Sequence, residues 1–403
     1  MCHVRYGIAN IPSIFSRLFL VQILSCSALA LNLSWLPYST ISLLDVGFAF
    51  HRVHECYRHM SLRVYPASPI IMSQKVAVWG AGAFGSAIAN RLSMHSSKFE
   101  VCLFALEDFV VEGMKKDQVN PMIIPQVGDH KFRSNVTVTG SIEESVQGAT
   151  AVFYAIPGKF TKDFLGKHAH LVANLPFVNC SKGMVVVDGM ITTIKAIAMS
   201  CGIAASQYAC VSGPSFAKSM FTKEQIILSV AADDETVRSD IANMFQNEST
   251  HIKVYSTDDV IGQELCGALK NVTAVAAGLA SKSGASTQPA VISVLWNDVS
   301  RVIQAMDGGH EVHMNPPMFG DLIATCSQSS RNYTFAERVA AGENPQEVIR
   351  SMPSVEGYNS LPLLVKYCET VAALETERKR FQSVLDCCEG RVTIQEMIDI
   401  VLS

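Results

Sequence analysis

Lys270 and Asn271 stand side by side in a run of otherwise small and apolar residues, DDVIGQELCGALKNVTAVAAGLASK. Its spacing predicts a helix from Thr257 to about Ser281, and Gly262, Gly267 and Ala268 would let neighbouring elements approach closely, so most of its faces should be buried. A lysine there could simply extend its stem and carry its ammonium to the surface. If it stays inside, desolvation lowers its pKa and makes it a proton donor and acceptor near neutral pH. Further along, GDLIATCSQSSRN holds Asp321, Thr325, Ser330, Arg331 and Asn332. An Arg-Asn pair where a loop becomes a helix offers a planar donor fork and an amide, which suits phosphate, or it is an exposed helix start.

Other candidate positions fall at the ends of strand-like runs. Lys182 follows FVNC in CSKG, and Gly213, Ser215 and Ala217 belong to SGPSFA after ACVS. In an open α/β sheet such carboxyl ends are where ligands bind, although either turn alone would pass for a plain loop. Glu356, in VEG, reads equally as a surface acid beside a helix start.

The elements that must carry these residues begin at Lys75. The run KVAVW is followed by Gly80, Gly82, Ala83, Phe84 and Gly85 in GAGAFG, and then by the helical SAIANRLSM. A strand, GxGxxG and a helix form a dinucleotide fingerprint: the first glycine makes the turn, the second admits a pyrophosphate, and the third lets helix and strand pack. Glu107 or Asp108, at the end of EVCLFALED, could accept from a ribose hydroxyl, and no arginine stands there for a 2′-phosphate, so NAD is favoured with NADP as the alternative. Strand candidates recur at 100–104, 136–139, 151–156, 177–180, 209–212, 226–230 and 252–255, separated by helical segments. That alternation predicts an α/β class, a Rossmann-type mostly parallel sheet over 73–256, followed by an all-α region over 257–403.

Composition narrows the classes further. The chain has 403 residues, a hydrophobic fraction of 49%, 17% charged residues and a net charge of −4, which argues against disorder and against a general nucleic-acid partner. Twelve cysteines include no CxxC and no zinc-like spacing with histidine, so no metal site is expected and the region from Lys75 onward reads as reduced. Residues 1–72 form an extension with five arginines, two acids and no lysine, including 27 uncharged residues between Arg17 and Asp45. This composition fits a targeting presequence, with a retained anchor or an upstream extension before Met72 as alternatives, and membrane contact would follow only from the anchor.

Taken together, the blocks VAVWGAGAFG, NPMIIP, CSKGM, SGPSFA, GALKNVTAVAAGLA, GDLIATCSQSSRN and SVEGYNS make the chain from about Lys75 onward resemble the NAD(P)-dependent glycerol-3-phosphate dehydrogenases. The resemblance implies reversible reduction of dihydroxyacetone phosphate to sn-glycerol 3-phosphate in a cleft between a Rossmann-type and a helical domain. By the same resemblance Lys270 is the acid/base, Lys182 holds and polarises the substrate, and Asp321 orients Lys270 and the substrate hydroxyl. It implies substrate contacts from Gly213, Ser215, Asn271, Thr325, Ser330, Arg331 and Asn332. The implied cofactor contacts are the glycine turn, Glu107, Pro157, Lys182, Ala217, Arg331 and Glu356. A homodimer is the family's usual state, and a plastid or related organelle is the expected location, with cytoplasm as the alternative.

Two departures stand out: Gln288 replaces a basic residue, and Asn315-Pro-Pro replaces flexible small residues before Gly320. These leave open a catalytically quiet NAD-binding regulator, and a related hydroxyacid dehydrogenase is a further alternative.

Overall fold

The computed structural model describes residues 74–403 except 96, 97, 129, 183, 188, 189, 223, 247–249 and 353. The expectations for the N-terminal extension, its targeting role and its membrane contact lie outside the described residues, as does Gly183 of the CSKG turn. Among the described residues no helix is long and apolar enough to cross a membrane.

Ten strands are described: β1 Gln74–Trp79, β2 Phe99–Phe104, β3 Val136–Thr139, β4 Ala149–Tyr154, β5 Phe177–Asn179, β6 Met184–Val187, β7 Met190–Thr193, β8 Tyr208–Ser212, β9 Ile226–Ala232 and β10 Ile252–Thr257. Eight form one sheet in the order β10-β9-β8-β5-β4-β1-β2-β3. All neighbours pair in parallel except β8 and β9, so the sheet is mostly parallel, as the alternating pattern predicts. In β1 the residues Val76, Ala77, Val78 and Trp79 are all fully buried. Val76 and Val78 face one core while Ala77 and Trp79 face the other, which is why the run is continuously apolar rather than alternating.

The helix α1, Ala83–Leu92, follows β1, and α2, Asp108–Asp117, follows β2. Trp79 is level with Phe104 of β2 and with Tyr154 of β4, so three strand ends are flush at one edge of the sheet. The chain leaves β1 toward β2 and β3 and returns to β4 on the opposite side, which opens a crevice at that edge.

The pair β6–β7 was not anticipated. It is a separate antiparallel ribbon in which Met184–Val187 pairs with Met190–Thr193, two short runs rich in β-branched residues. The last strand runs to Thr257, so the long helix α3, Val260–Leu279, begins three residues later than the spacing suggested, with Asp259 accepting from the Gly262 N–H at 2.8 Å.

Beyond α3 the described elements are helical, among them α4 Thr287–Ala305, α5 Pro316–Thr325, α6 Arg331–Ala340 and α7 Glu356–Thr370. Every residue of α3 except Ile261 is buried. Its Leu265, Leu269, Val272 and Val275 enter the core of the helical layer, while Gly267 lies against Ser212 at the end of β8. The helix is thus the shared wall between sheet and bundle.

Candidate active site

The flush strand ends, α3 and the starts of α6 and α7 enclose a cleft of about 360 Å³. On the sheet side it is lined by Ala83 and Phe84 of α1, Pro157 after β4, and Lys182 after β5. Gly213, Ser215 and Ala217 contribute from the turn after β8, and Lys270, Asp321, Arg331 and Glu356 from the helical side. Residues drawn from separate parts of the sequence therefore meet in one cavity.

The glycine turn sits behind this surface. Gly80 has φ +110°, a conformation that disfavours any side chain. A Cβ on Gly85 would run into the Gly80 carbonyl and lie 3.0 Å from Ala155 Cβ, so helix and strands can approach only with glycine here. A Cβ on Gly82 would meet nothing within 4 Å, and Gly82, as N-cap of α1, offers no capping side chain. The first N–H groups of α1 are left for a ligand on the open side, the arrangement a pyrophosphate needs. Glu107 is the N-cap of α2, one strand away and outside the cleft lining, and its side chain makes no capping bond. Asp108 opens α2 and is exposed.

Lys270 is 2% exposed and forms an ion pair with Asp321. Burial pushes its pKa down to about 8; Asp321 opposes the fall, whereas the nearby Lys182 ammonium adds to it. Lys182 and Arg331 make no ion pair with any described residue, and both line the cleft. Thr325 is held back, donating to the Asp321 carbonyl at 2.6 Å, and Ser330 is the buried N-cap of α6.

The Arg-Asn pair divides its labour. Arg331 lines the cleft, while Asn332 points into the helical layer, donating to Asn271 Oδ1 at 3.0 Å and accepting from the Gly357 N–H at 2.8 Å. Asn271 in turn donates to Glu356 Oε2 at 3.2 Å. Neither asparagine lines the cavity; together they lock α3, α6 and α7 where Lys270, Arg331 and Glu356 enter it.

Both departures from the expected pattern have structural roles. Gln288 donates to the Ala277 carbonyl at 2.9 Å and to the Tyr333 hydroxyl at 3.1 Å, stitching α4 to α3 and α6. Asn315 caps α5 through the Met318 N–H at 2.9 Å, with prolines in the first turn, so Asp321 is carried by a stiffly started helix.

Gln263 and Glu264 of α3, with Asn179 and Ser181, also line the cleft, and the spacing arguments overlooked all four. Gln263 donates to the carbonyls of Cys210 at 2.9 Å and Ser229 at 3.2 Å, fastening α3 to β8 and β9. The available signal was two polar residues in adjacent positions of an otherwise buried helix.

A nucleotide-binding sheet with a glycine turn at its switch point, facing a buried lysine from a helical layer, defines the class as a two-layer NAD(P)-dependent dehydrogenase. Models of the NAD-dependent glycerol-3-phosphate dehydrogenase N-terminus and C-terminus match residues 75–238 and 259–399. The chain belongs to this family of oxidoreductases. It is 31% identical over 338 residues to a glycerol-3-phosphate dehydrogenase [NAD(P)+] of Brucella ovis, covering 82% of this chain and 98% of that protein. It is 28% identical over 287 residues to a chloroplastic glycerol-3-phosphate dehydrogenase [NAD(+)] of Oryza sativa subsp. japonica, covering 70% of this chain and 64% of the rice protein. The fold is shared with the solved glycerol-3-phosphate dehydrogenase of Coxiella burnetii, with a TM-score of 0.72 at 22% identity over 82% of this chain and 99% of that one.

Proposed function

We propose that this cleft interconverts dihydroxyacetone phosphate and sn-glycerol 3-phosphate, with Lys270 moving the proton. The observation that carries the reading is the buried Lys270–Asp321 pair, which shares a single cavity with Ala83 and Phe84 of the dinucleotide turn and with Arg331. NADH, when bound, supplies the hydride. The bare N-terminus of α1 and the unobstructed space above Gly82 fit its pyrophosphate. Ala83, Phe84, Pro157, Ala217 and Glu356 would line its path.

In the reductive direction the Lys270 ammonium donates a proton to the substrate's carbonyl oxygen, and in the oxidative direction the neutral amine removes it. Asp321 holds the ammonium in place and offsets part of its desolvation cost. Arg331, exposed at the first position of α6, presents its fork and the helix's positive end to the phosphate. Lys182 adds a second charge from the opposite wall. This local arrangement lets a chain of net charge −4 hold a dianion. Because Arg331 suits a phosphate, it favours this substrate over a simple hydroxyacid.

NAD is the favoured nucleotide because Glu107 stands at the end of β2, where a carboxylate accepts from ribose hydroxyls and repels a 2′-phosphate. Oxidation of NADH and of NADPH, followed at 340 nm (a general property of reduced nicotinamides) on adding dihydroxyacetone phosphate, tests the function and the preference together. Cofactor binding without turnover would establish the quiet regulator instead.

The arginine-rich, lysine-free extension and the chloroplastic name of the rice relative support delivery to a plastid. N-terminal sequencing of the protein from its native source tests this, and an intact extension on soluble protein would refute cleavage. A homodimer is the proposed assembly, checked by light scattering.

A further inference from the structure

Glu264 is a polar group that the proposed proton transfer does not use, although it is 6% exposed and lines the cleft. Its carboxylate receives three donors. Asn179 Nδ2 reaches Oε1 at 2.8 Å, the Tyr208 hydroxyl also donates to Oε1, and the Lys195 N–H donates to Oε2 at 3.2 Å. Burial pushes its pKa up, while the hydrogen bonds from Tyr208 and Asn179 pull it back. Three donors on two oxygens suit the acceptor-only carboxylate and would leave a neutral amide mismatched.

The chain of contacts continues toward the substrate. With its amide nitrogen held by Glu264, Asn179 has its oxygen turned to accept from the Ser181 N–H at 2.9 Å. Ser181 donates through its hydroxyl to the Ile156 carbonyl at 2.5 Å. The residue after Ser181 is Lys182. The amide orientation of Asn179 decides which of its ends faces the turn, and Glu264, itself held by Tyr208, fixes that orientation by accepting from the amide nitrogen.

We infer that Glu264 is a positioning residue for the reaction: through Asn179 it sets the 180–182 turn and thereby aims Lys182 at the substrate. The same helix that carries Lys270 thus places the cation on the facing wall as well. This rests on the reading that Lys182 holds the substrate.

The test is a double-mutant cycle of Glu264→Gln with Lys182→Ala, reading KM for dihydroxyacetone phosphate, kcat and NADH affinity. Glu264→Gln should raise KM by about tenfold to a hundredfold, the scale of one hydrogen bond to a charged group, with a smaller change in kcat and in NADH affinity. In the Lys182→Ala background the same substitution should barely move KM, because its effect travels through Lys182. Equal fold-increases in both backgrounds, or an unchanged KM, would overturn the inference. If Lys182→Ala by itself leaves KM unchanged, the substrate role of Lys182 fails instead. Should Glu264→Gln not fold, Asn179→Ser cuts the link one step on with the carboxylate still present. It must show the same dependence on Lys182, and an additive effect would again overturn the inference.

Discussion

Lys270 of α3 and Asp321 of α5 meet as an ion pair whose side chains are only 2% and 8% exposed. Lys270→Ala should lower kcat by about 10²–10⁴, the usual contribution of a positioned proton donor, and leave NADH affinity largely intact. It also strands a buried carboxylate, so stability should fall by about 3–5 kcal/mol. Lys270→Met combined with Asp321→Leu should recover much of that stability and none of the activity. Urea melts and steady-state kinetics on the three proteins separate the two effects. Near-normal kcat in Lys270→Ala would refute the acid/base role.

The Lys270 pKa, lowered to about 8 by burial, sets opposite pH trends for the two directions. Reduction needs the ammonium, so it should weaken as pH rises through about 8; oxidation needs the free amine and should strengthen over the same interval. Asp321 raises this pKa, so Asp321→Asn should move both inflections to lower pH. Initial rates in each direction from pH 6 to 10 (ordinary buffers) test this. Parallel profiles would contradict it.

Arg331 makes no ion pair with any described residue and lines the cleft from the start of α6. Arg331→Ala should raise KM for dihydroxyacetone phosphate by about tenfold to a hundredfold, the scale of hydrogen bonds to a charged group. Arg331→Lys should restore only part of that, because a point charge cannot reproduce a two-pronged contact. Inhibition by inorganic phosphate should weaken in step. An unchanged KM would remove Arg331 from phosphate binding.

Two glycines should respond to the same substitution with opposite signs. A Cβ on Gly278 would lie 2.7 Å from Ala336 Cβ and 3.1 Å from the Glu337 nitrogen, so Gly278→Ala must push α6 from α3 and cost about 1–3 kcal/mol. Gly166 lies in the helix Thr161–His168, where a Cβ meets nothing within 4 Å, so Gly166→Ala should stabilise by about 0.5–1 kcal/mol. Denaturant midpoints decide both, and a stabilised Gly278→Ala would show that the packing of α3 on α6 is looser than described.

What could be read beforehand was whatever spacing alone expresses. The glycine turn, the strand alternation and the lysine in a small-residue helix each impose a pattern along the chain, and the fold follows them. Glu264 was not legible because a glutamate in a helix ordinarily reads as solvated; its burial arises only when β5 and β8 bring Asn179 and Tyr208 against it. Adjacent letters also misled. Arg331 and Asn332 looked like one phosphate clamp, yet neighbours on a helix point about 100° apart, and one turns to the cleft while the other turns to Asn271. The β6–β7 ribbon, Met184–Val187 paired with Met190–Thr193, stands apart from the main sheet, so the strand–helix alternation that marks the other strands does not mark it.

Because α3 is both the wall shared by the two layers and the carrier of Glu264 and Lys270, it works as a ruler. Its six-residue interval fixes those groups about 9 Å apart along the axis. Replacing a side chain between them perturbs packing, but adding or removing one residue would rotate everything beyond it by about 100°. Lys270 would then swing from the cleft and Gly278 from its seat on α6. The length of this segment is therefore under a tighter constraint than its composition: tolerated variation in α3 must come as exchanges of residues, and never as insertions or deletions.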